Sequence, residues 1–285
     1  MNIIQNLILN CKVSLETEND WNYTTAVESR FIDETIPIPE KIDLRDDTWW
    51  TINNQQNSSS CVAWAVADSC LRWHFVENGY LNTNELLSPR FIWMASKETD
   101  EIIKRPTSFI ESSGTSIKAA LDVARVYGCV TEEVLPFYGN SLFTKDERLF
   151  YSNASKFKIL NYFNLKFSND NDKIVETDVE KWKIWLANGN GPIIVRFNID
   201  RTWNNVTFEN PNLEEYANDP SVLGHAVTIV GFIDNRFIIR NSEGTGWGKN
   251  GYAFASLPYA KKAFTEVYGV CVGFKKTCSI AVKKT

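Results

Sequence analysis

The chain has 285 residues, 44% hydrophobic and 23% charged, the ordinary range for one or two globular domains. At this length folding buries roughly 75% of the unfolded surface, so a sizeable core needs no covalent staples. A net charge of −5 with no basic run longer than Lys-Lys argues against a nucleic-acid partner, and the lack of ~18 consecutive apolar residues argues against a transmembrane helix. Six cysteines (Cys11, Cys61, Cys70, Cys129, Cys271 and Cys278) are too scattered for a disulfide scaffold. With only two histidines and no CxxC pair they do not suggest a zinc site either, so no metal is expected.

The first residues, MNIIQNLILNC, form a short apolar stretch with no basic leader and no small-x-small cleavage site. An ordinary N-terminal strand is expected there. Cytoplasmic residence is the default and secretion, or packaging in a particle or vesicle, the alternative. The sequons at Asn22, Asn57, Asn153 and Asn205 matter only in a secreted chain. Pro37 and Pro39 refuse helix and set off a polar segment, 1–40, from a domain at 41–285. A turn-rich stretch, 52–60, leads into a helix that opens at Cys61 and stops at Asn78-Gly79, with Ser58, Ser59 and Ser60 as N-cap candidates. Its first half is apolar on nearly every side, which predicts a buried central helix.

Further helices are predicted at 89–96, at 116–127 before Gly128, and at 178–187, with a polar loop at 168–172. Short β-branched and aromatic runs then follow at 192–198, 226–233, 236–241 and 252–256. Helices come early and strands late, which predicts an α+β fold. The helical lobe is expected over about 45–140 and the β lobe over 141–260, with 261–285 as a C-terminal extension.

Of the two histidines, His74 sits inside the central helix between Trp73 and Phe75 and reads as structural. His225 opens a strand after Gly224, at a strand end from which side chains reach clefts. Asn241 follows sixteen residues later, at the end of the next strand run, and two adjacent antiparallel strands joined by the Asp234-Asn235 turn would bring the two side chains together. Cys61 opens the central helix, whose partial positive charge favours a thiolate. The other cysteines read as small buried hydrophobes.

Gln55, five residues and then Cys61 resemble the nucleophile segment of papain-like cysteine peptidases. Gly224-His225-Ala226-Val227, followed by Asn241-Ser242-Glu243-Gly244-Thr245-Gly246-Trp247-Gly248 and Gly251-Tyr252, resembles that family's His and Asn blocks. Asp43-Leu44-Arg45 resembles the usual start of the mature enzyme. The likeness covers about 41–260. It implies the two-lobed papain-like fold, with a cleft between a helical lobe and an antiparallel β lobe.

It further implies a cysteine peptidase, endopeptidase favoured, acting on polypeptides with no cofactor and as a monomer. Cys61 is implied as nucleophile, His225 as its acid–base partner, Asn241 as the group orienting the ring, and Gln55 with the Cys61 N–H as the oxyanion hole. Substrate contacts are implied at Ser113, Gly114, Arg196, Gly224, Ala226 and Trp247. Arg196, standing where the family usually has a small residue, either narrows the main selectivity pocket in favour of acidic side chains or pairs with a neighbouring carboxylate and points outward.

The departures are Ser58 and Val62 at family Cys and Trp/Tyr positions, and a Cys61–His225 separation beyond the usual ~130–150. Glu243 stands where a Trp usually shields the His–Asn bond, and it either steadies the imidazolium or admits solvent. An impaired binding protein and a thiol acyltransferase are the alternatives on the same fold. Residues 1–40, shorter than the family's helical pro-regions, are expected to form an extended autoinhibitory segment at the cleft. The alternative is a structural arm packed on the β lobe.

Overall fold

The computed structural model describes residues 10–99, 114–138, 146–166, 174–217 and 224–273. Ser113, the 168–172 loop, Cys278 and most of the predicted N-terminal strand lie outside these residues. The chain forms a helical lobe and a sheet lobe that is antiparallel except where β4 (Asn212–Leu213) joins β7 (Tyr252–Ser256) in parallel, the predicted α+β architecture.

The helical lobe is built around one continuous helix, α2, running from Cys61 to Glu77 after a short α1 (Tyr23–Glu28) near the N-terminus. Its first turn, Cys61–Ala63, and its last part, Arg72–Glu77, are α-helical, whereas Trp64–Leu71 is π-helical. Every residue of the π segment is buried, as the all-round apolar pattern predicts. The widened turn is a difference from the simple helix expected, and such turns cluster at functional sites. Ser60 stands at the N-cap of α2 but makes no side-chain cap bond. Ser58 Oγ donates to the Gln55 carbonyl (2.6 Å), which ties the preceding loop onto itself. Helices α3 (Pro89–Thr99) and α4 (Ile117–Val126) pack on α2 and on each other, and α5 (Glu147–Ser155) adds Ala154 to the same cluster. Ser116 caps α4 by accepting from Ala119 N–H.

The eight-stranded sheet has the order β2-β8-β3-β5-β6-β7-β4, with β1 (Lys41–Asp43) pairing β5. The strands are β2 (Asn161–Asn164), β3 (Ile193–Asn198), β4 (Asn212–Leu213), β5 (Gly224–Ile233), β6 (Arg236–Arg240), β7 (Tyr252–Ser256) and β8 (Phe264–Cys271). Strand β5 is buried from Gly224 to Phe232 because it is covered on both faces. Ala226 joins the core of α2, whereas Val227 and Ile229 join a second core with Trp182 and Trp185 of α6 (Glu176–Ala187). Strands β3, β5, β6 and β7 match the predicted runs. The rest carry too few apolar residues, or too little alternation, to stand out. Strand β8, in what reads from sequence as a C-terminal extension, lies inside the sheet between β2 and β3, and α8 (Leu257–Ala263) leads into it.

The N-terminal segment is not uniformly extended. Residues 10–16 run across the junction of the two lobes. A 3₁₀ turn (Thr17–Asn19) and α1 follow, with Asn22 and Thr25 forming a capping box. Tyr23, Ala26 and Ile32 then sink into the core of the sheet lobe. Among the described residues no helix is long and apolar enough to cross a membrane.

Candidate active site

His225 and Asn241 meet as their strands require. His225 Nε2 and Asn241 Oδ1 are 2.9 Å apart, both residues are buried, and Asn241 Oδ1 also accepts from Ser242 N–H at 2.8 Å. With Nε2 held by Asn241, Nδ1 is the ring nitrogen left without a protein partner. Phe197 of β3 and Trp203 of α7 (Arg201–Asn204) stand edge-on to the ring at 5.7 and 5.5 Å. Trp247 stacks behind Trp203 at 4.2 Å, so it shields the histidine through that second indole. Trp203 escapes sequence reasoning; the signal available was Asp200-Arg201-Thr202, where Asp200 caps α7 by accepting from Thr202 N–H.

Cys61 is fully buried at the first position of α2. The N–H groups of Ala226, Asn10 and Val62 point to its sulfur and favour a thiolate, but burial outweighs them and pushes the thiol up to about 11. Burial likewise pushes His225 down to about 4 against the opposing hydrogen bond of Asn241. Burial thus works against the charged form of both the thiol and the imidazole. Cys70 and Cys129 are buried thiols pushed up by desolvation, inert packing as their sequence contexts suggest.

Gln55 is buried in the loop before α2. Its amide N–H donates to Ser58 O (3.1 Å), its Oε1 accepts from Ser242 Oγ (2.7 Å), and its backbone N–H donates to Ser242 O (2.7 Å). Ser242 therefore couples the Gln55 loop to the Asn241 strand. A glutamine amide carries two N–H bonds, so one remains for a ligand.

A buried ionic cluster makes the same connection from below. Asp68 of α2 accepts from Arg240, the residue before Asn241, at 2.8 Å and from Asn53 at 2.7 Å. Arg72 lies 3.9 Å away on the next turn.

The chain's own residues 10–12 run past Cys61 between Gly224 and Thr115, with the Asn10 N–H directed at its sulfur. Cys11 N–H donates to Gly224 O (2.9 Å), Lys12 N–H to Thr115 O (3.0 Å), and Lys12 pairs Ser116 in parallel. A Cβ on Gly114 would overlap the Asn10 carbonyl, and one on Gly224 would lie 2.5 Å from both the Cys11 oxygen and the Arg196 guanidinium. Both positions require glycine because a backbone passes so close.

Arg196 is buried and turned inward, unlike the outward-pointing reading. It donates from Nε to Cys11 O (3.1 Å) and from its guanidinium to Thr265 (2.8 Å) and Asn198 (3.1 Å), with Glu266 3.9 Å away. Glu266 in turn accepts from Ser14 N–H (2.9 Å) and Ser14 Oγ (2.5 Å). His74, the other histidine, packs against Trp73 and Gly191 far along α2. No group of three or more potential metal ligands occurs among the described residues.

A family model described as papain family cysteine protease matches residues 38–263. An uncharacterized peptidase C1-like protein of Acanthamoeba polyphaga mimivirus is 26% identical over 211 residues, 72% of this chain and 63% of that protein. This chain thus spans less than two thirds of that relative. Xylellain, a cysteine protease from Xylella fastidiosa, has a similar structure, with a TM-score of 0.73 at 20% identity over 96% of this chain and 99% of that one. Procathepsin B from Trypanosoma congolense follows at 0.68 and 15%, over 94% and 87%. Digestive procathepsin L 3 of Tenebrio molitor larval midgut gives 0.63 and 15%, over 93% and 76%. At these identities the structures speak to the fold.

Proposed function

The chain belongs to the papain family of cysteine proteases, and from that premise we propose that it hydrolyses peptide bonds, as an endopeptidase, through Cys61 and His225. The observation that carries this reading is the 2.9 Å His225–Asn241 bond, which leaves Nδ1 of a buried ring bare beside the helix that Cys61 opens.

In the reaction Nδ1 takes the Cys61 proton, and the thiolate attacks the peptide carbonyl. The imidazolium then protonates the leaving amine, and water, deprotonated by the same nitrogen, releases the acyl group. Asn241 Oδ1, accepting from Nε2–H, fixes the tautomer that makes Nδ1 the base. The unspent Gln55 N–H and the Cys61 backbone N–H stabilise the oxyanion, each to the extent of about 3 kcal/mol.

Residues 10–14 act as an intramolecular inhibitor in this reading. Their backbone takes the Gly224 carbonyl that a substrate would use, and by running past Cys61 they desolvate the pair, which works against the charged forms of Cys61 and His225. Tethering makes even weak intrinsic affinity sufficient. Arg196, which grips the Cys11 carbonyl, becomes available to substrate when the arm leaves.

Burial of the pair also fits a non-catalytic binding protein on the same fold. Thiol-dependent hydrolysis and labelling by an epoxide warhead such as E-64 separate the two readings. Both are expected in the wild type and neither in Cys61→Ala, while His225→Ala abolishes turnover and Asn241→Ala retains part of it. Hydrolysis that persists in Cys61→Ala would sink the peptidase assignment.

A further inference from the structure

Glu243 is held with its carboxylate turned into the molecule beside the His225–Asn241 pair. Asn54 anchors its backbone, donating to Glu243 O at 3.3 Å, and Gly244 N–H donates to Asn53 O at 3.1 Å. The side chain is 4% exposed, and Oε1 lies 3.8 Å from His225 Nε2 with no hydrogen-bond partner. A buried carboxylate oxygen without a partner is costly unless a positive charge comes to it. His225 is the group within reach that acquires one.

We propose that Glu243 is a positioning residue, the counter-charge that meets the His225 imidazolium and keeps Nε2–H directed at Asn241. The inference rests on the peptidase reading, since only a reaction that charges the ring needs a counter-ion. The proton that leaves Cys61 Sγ arrives at Nδ1. Nε2–H then lies between Asn241 Oδ1 at 2.9 Å and Glu243 Oε1 at 3.8 Å, and no proton passes to the carboxylate. The Asn241 amide and the Trp203 indole face Glu243 and favour its ionised form, although burial is the larger effect and pushes it up to about 7.

The other described titratable groups around the pair are few. Cys61 of α2 feels Glu243 as a like charge once ionised, and Cys11 of the arm lies next to Cys61. Arg196 of β3 and Glu266 of β8 face Cys11. Strand β3, α7 and the 244–251 turn otherwise present the rings of Phe197, Trp203 and Trp247. With its side chain 4% exposed and the Trp203 indole facing it, Glu243 is screened from bulk water, so one charge there acts strongly on another.

The chain has two histidines, so ¹⁵N-labelled imidazole signals of the full-length protein can be assigned with His225→Gln and followed against pH. Read on the alkaline limb of the E-64 labelling profile, where Glu243 is ionised and the imidazolium of the reactive pair loses its proton, the His225 midpoint is expected to fall by about one unit or more in Glu243→Gln and to recover part of that in Glu243→Asp. kcat should fall about tenfold in Glu243→Gln with KM little changed. If Glu243→Gln does not fold, Glu243→Met carries the same comparison. A His225 midpoint that moves by less than about 0.3 unit overturns the proposal. Loss of hydrolysis in Cys61→Ala together with an unmoved midpoint removes Glu243 alone. Hydrolysis surviving in Cys61→Ala removes the peptidase reading and, with it, the purpose given to Glu243.

Discussion

Asp68 is the charge on which the alignment of the two lobes depends most. It sits on α2 two turns after Cys61, and its carboxylate bonds Arg240, whose neighbour Asn241 holds the histidine. Asp68, Arg72 and Arg240 are each no more than 2% exposed. Arg72 has the carbonyls of Trp49, Thr83 and Glu85 to fall back on. Arg240 has Thr51 O, the face of Trp50 and the neutral Tyr252 hydroxyl, none of them a counter-charge, and its Nε lacks a partner. In Asp68→Asn the guanidinium of Arg240 stays buried without its counter-ion, a situation that costs about 3–5 kcal/mol.

Urea unfolding followed by tryptophan fluorescence should show that loss. The double variant Asp68→Asn/Arg240→Met should recover about 1 kcal/mol or more, because the stranded charge has gone. Peptide hydrolysis by Asp68→Asn should fall even where the protein remains folded, since Cys61 and Asn241 lose their common tether. A loss below about 1 kcal/mol, or strict additivity in the double variant, would refute the claim that this cluster holds the lobes in register.

Removing residues 1–16 is expected to raise the Cys61 labelling rate with little change in melting temperature. Removing residues 1–40 should destabilise the fold because Tyr23, Ala26 and Ile32 leave the core; labelling and thermal melts of both forms check this. Burial pushes His74 down to about 4 from an unfolded value near 6.5, so the unfolded chain binds the extra proton between these values. Stability from this site is present above about pH 6.5 and is lost as pH falls through 4, by roughly 3 kcal/mol, and His74→Met should flatten that part of the stability–pH profile. Gly224→Ala should displace the arm, because its Cβ meets both the Cys11 carbonyl and Arg196, and faster labelling of Cys61 in the full chain is the readout. Arg196→Met should loosen the arm and weaken any preference for an acidic side chain one residue before the residue at the cleaved bond, and an unchanged preference in a substrate library would remove Arg196 from specificity.

What the sequence determined by itself was local or strongly patterned. The all-apolar start of α2 pointed to burial, and two strand runs across an Asp-Asn turn pointed to a hairpin that pairs His225 with Asn241, as the structure has it. Papain-type motifs around Cys61, His225 and Asn241 named the family before any contact was known. What escaped it depended on partners far apart in the chain. Strand β8 is an inner strand only because β2 and β3 flank it, and Trp203 shields His225 only because α7 folds back over β5. The N-terminal segment held two expectations, inhibitor or structural arm. Tertiary structure divides it between a stretch at the groove and one in the core, because polar backbone finds partners at Gly224 and Thr115 whereas Tyr23 and Ile32 find an apolar face. The charge on Glu243 is visible in the sequence, but its direction is not. Only the packing of Asn54, Asn241 and Trp203 around it decides that the carboxylate turns toward the histidine and away from water.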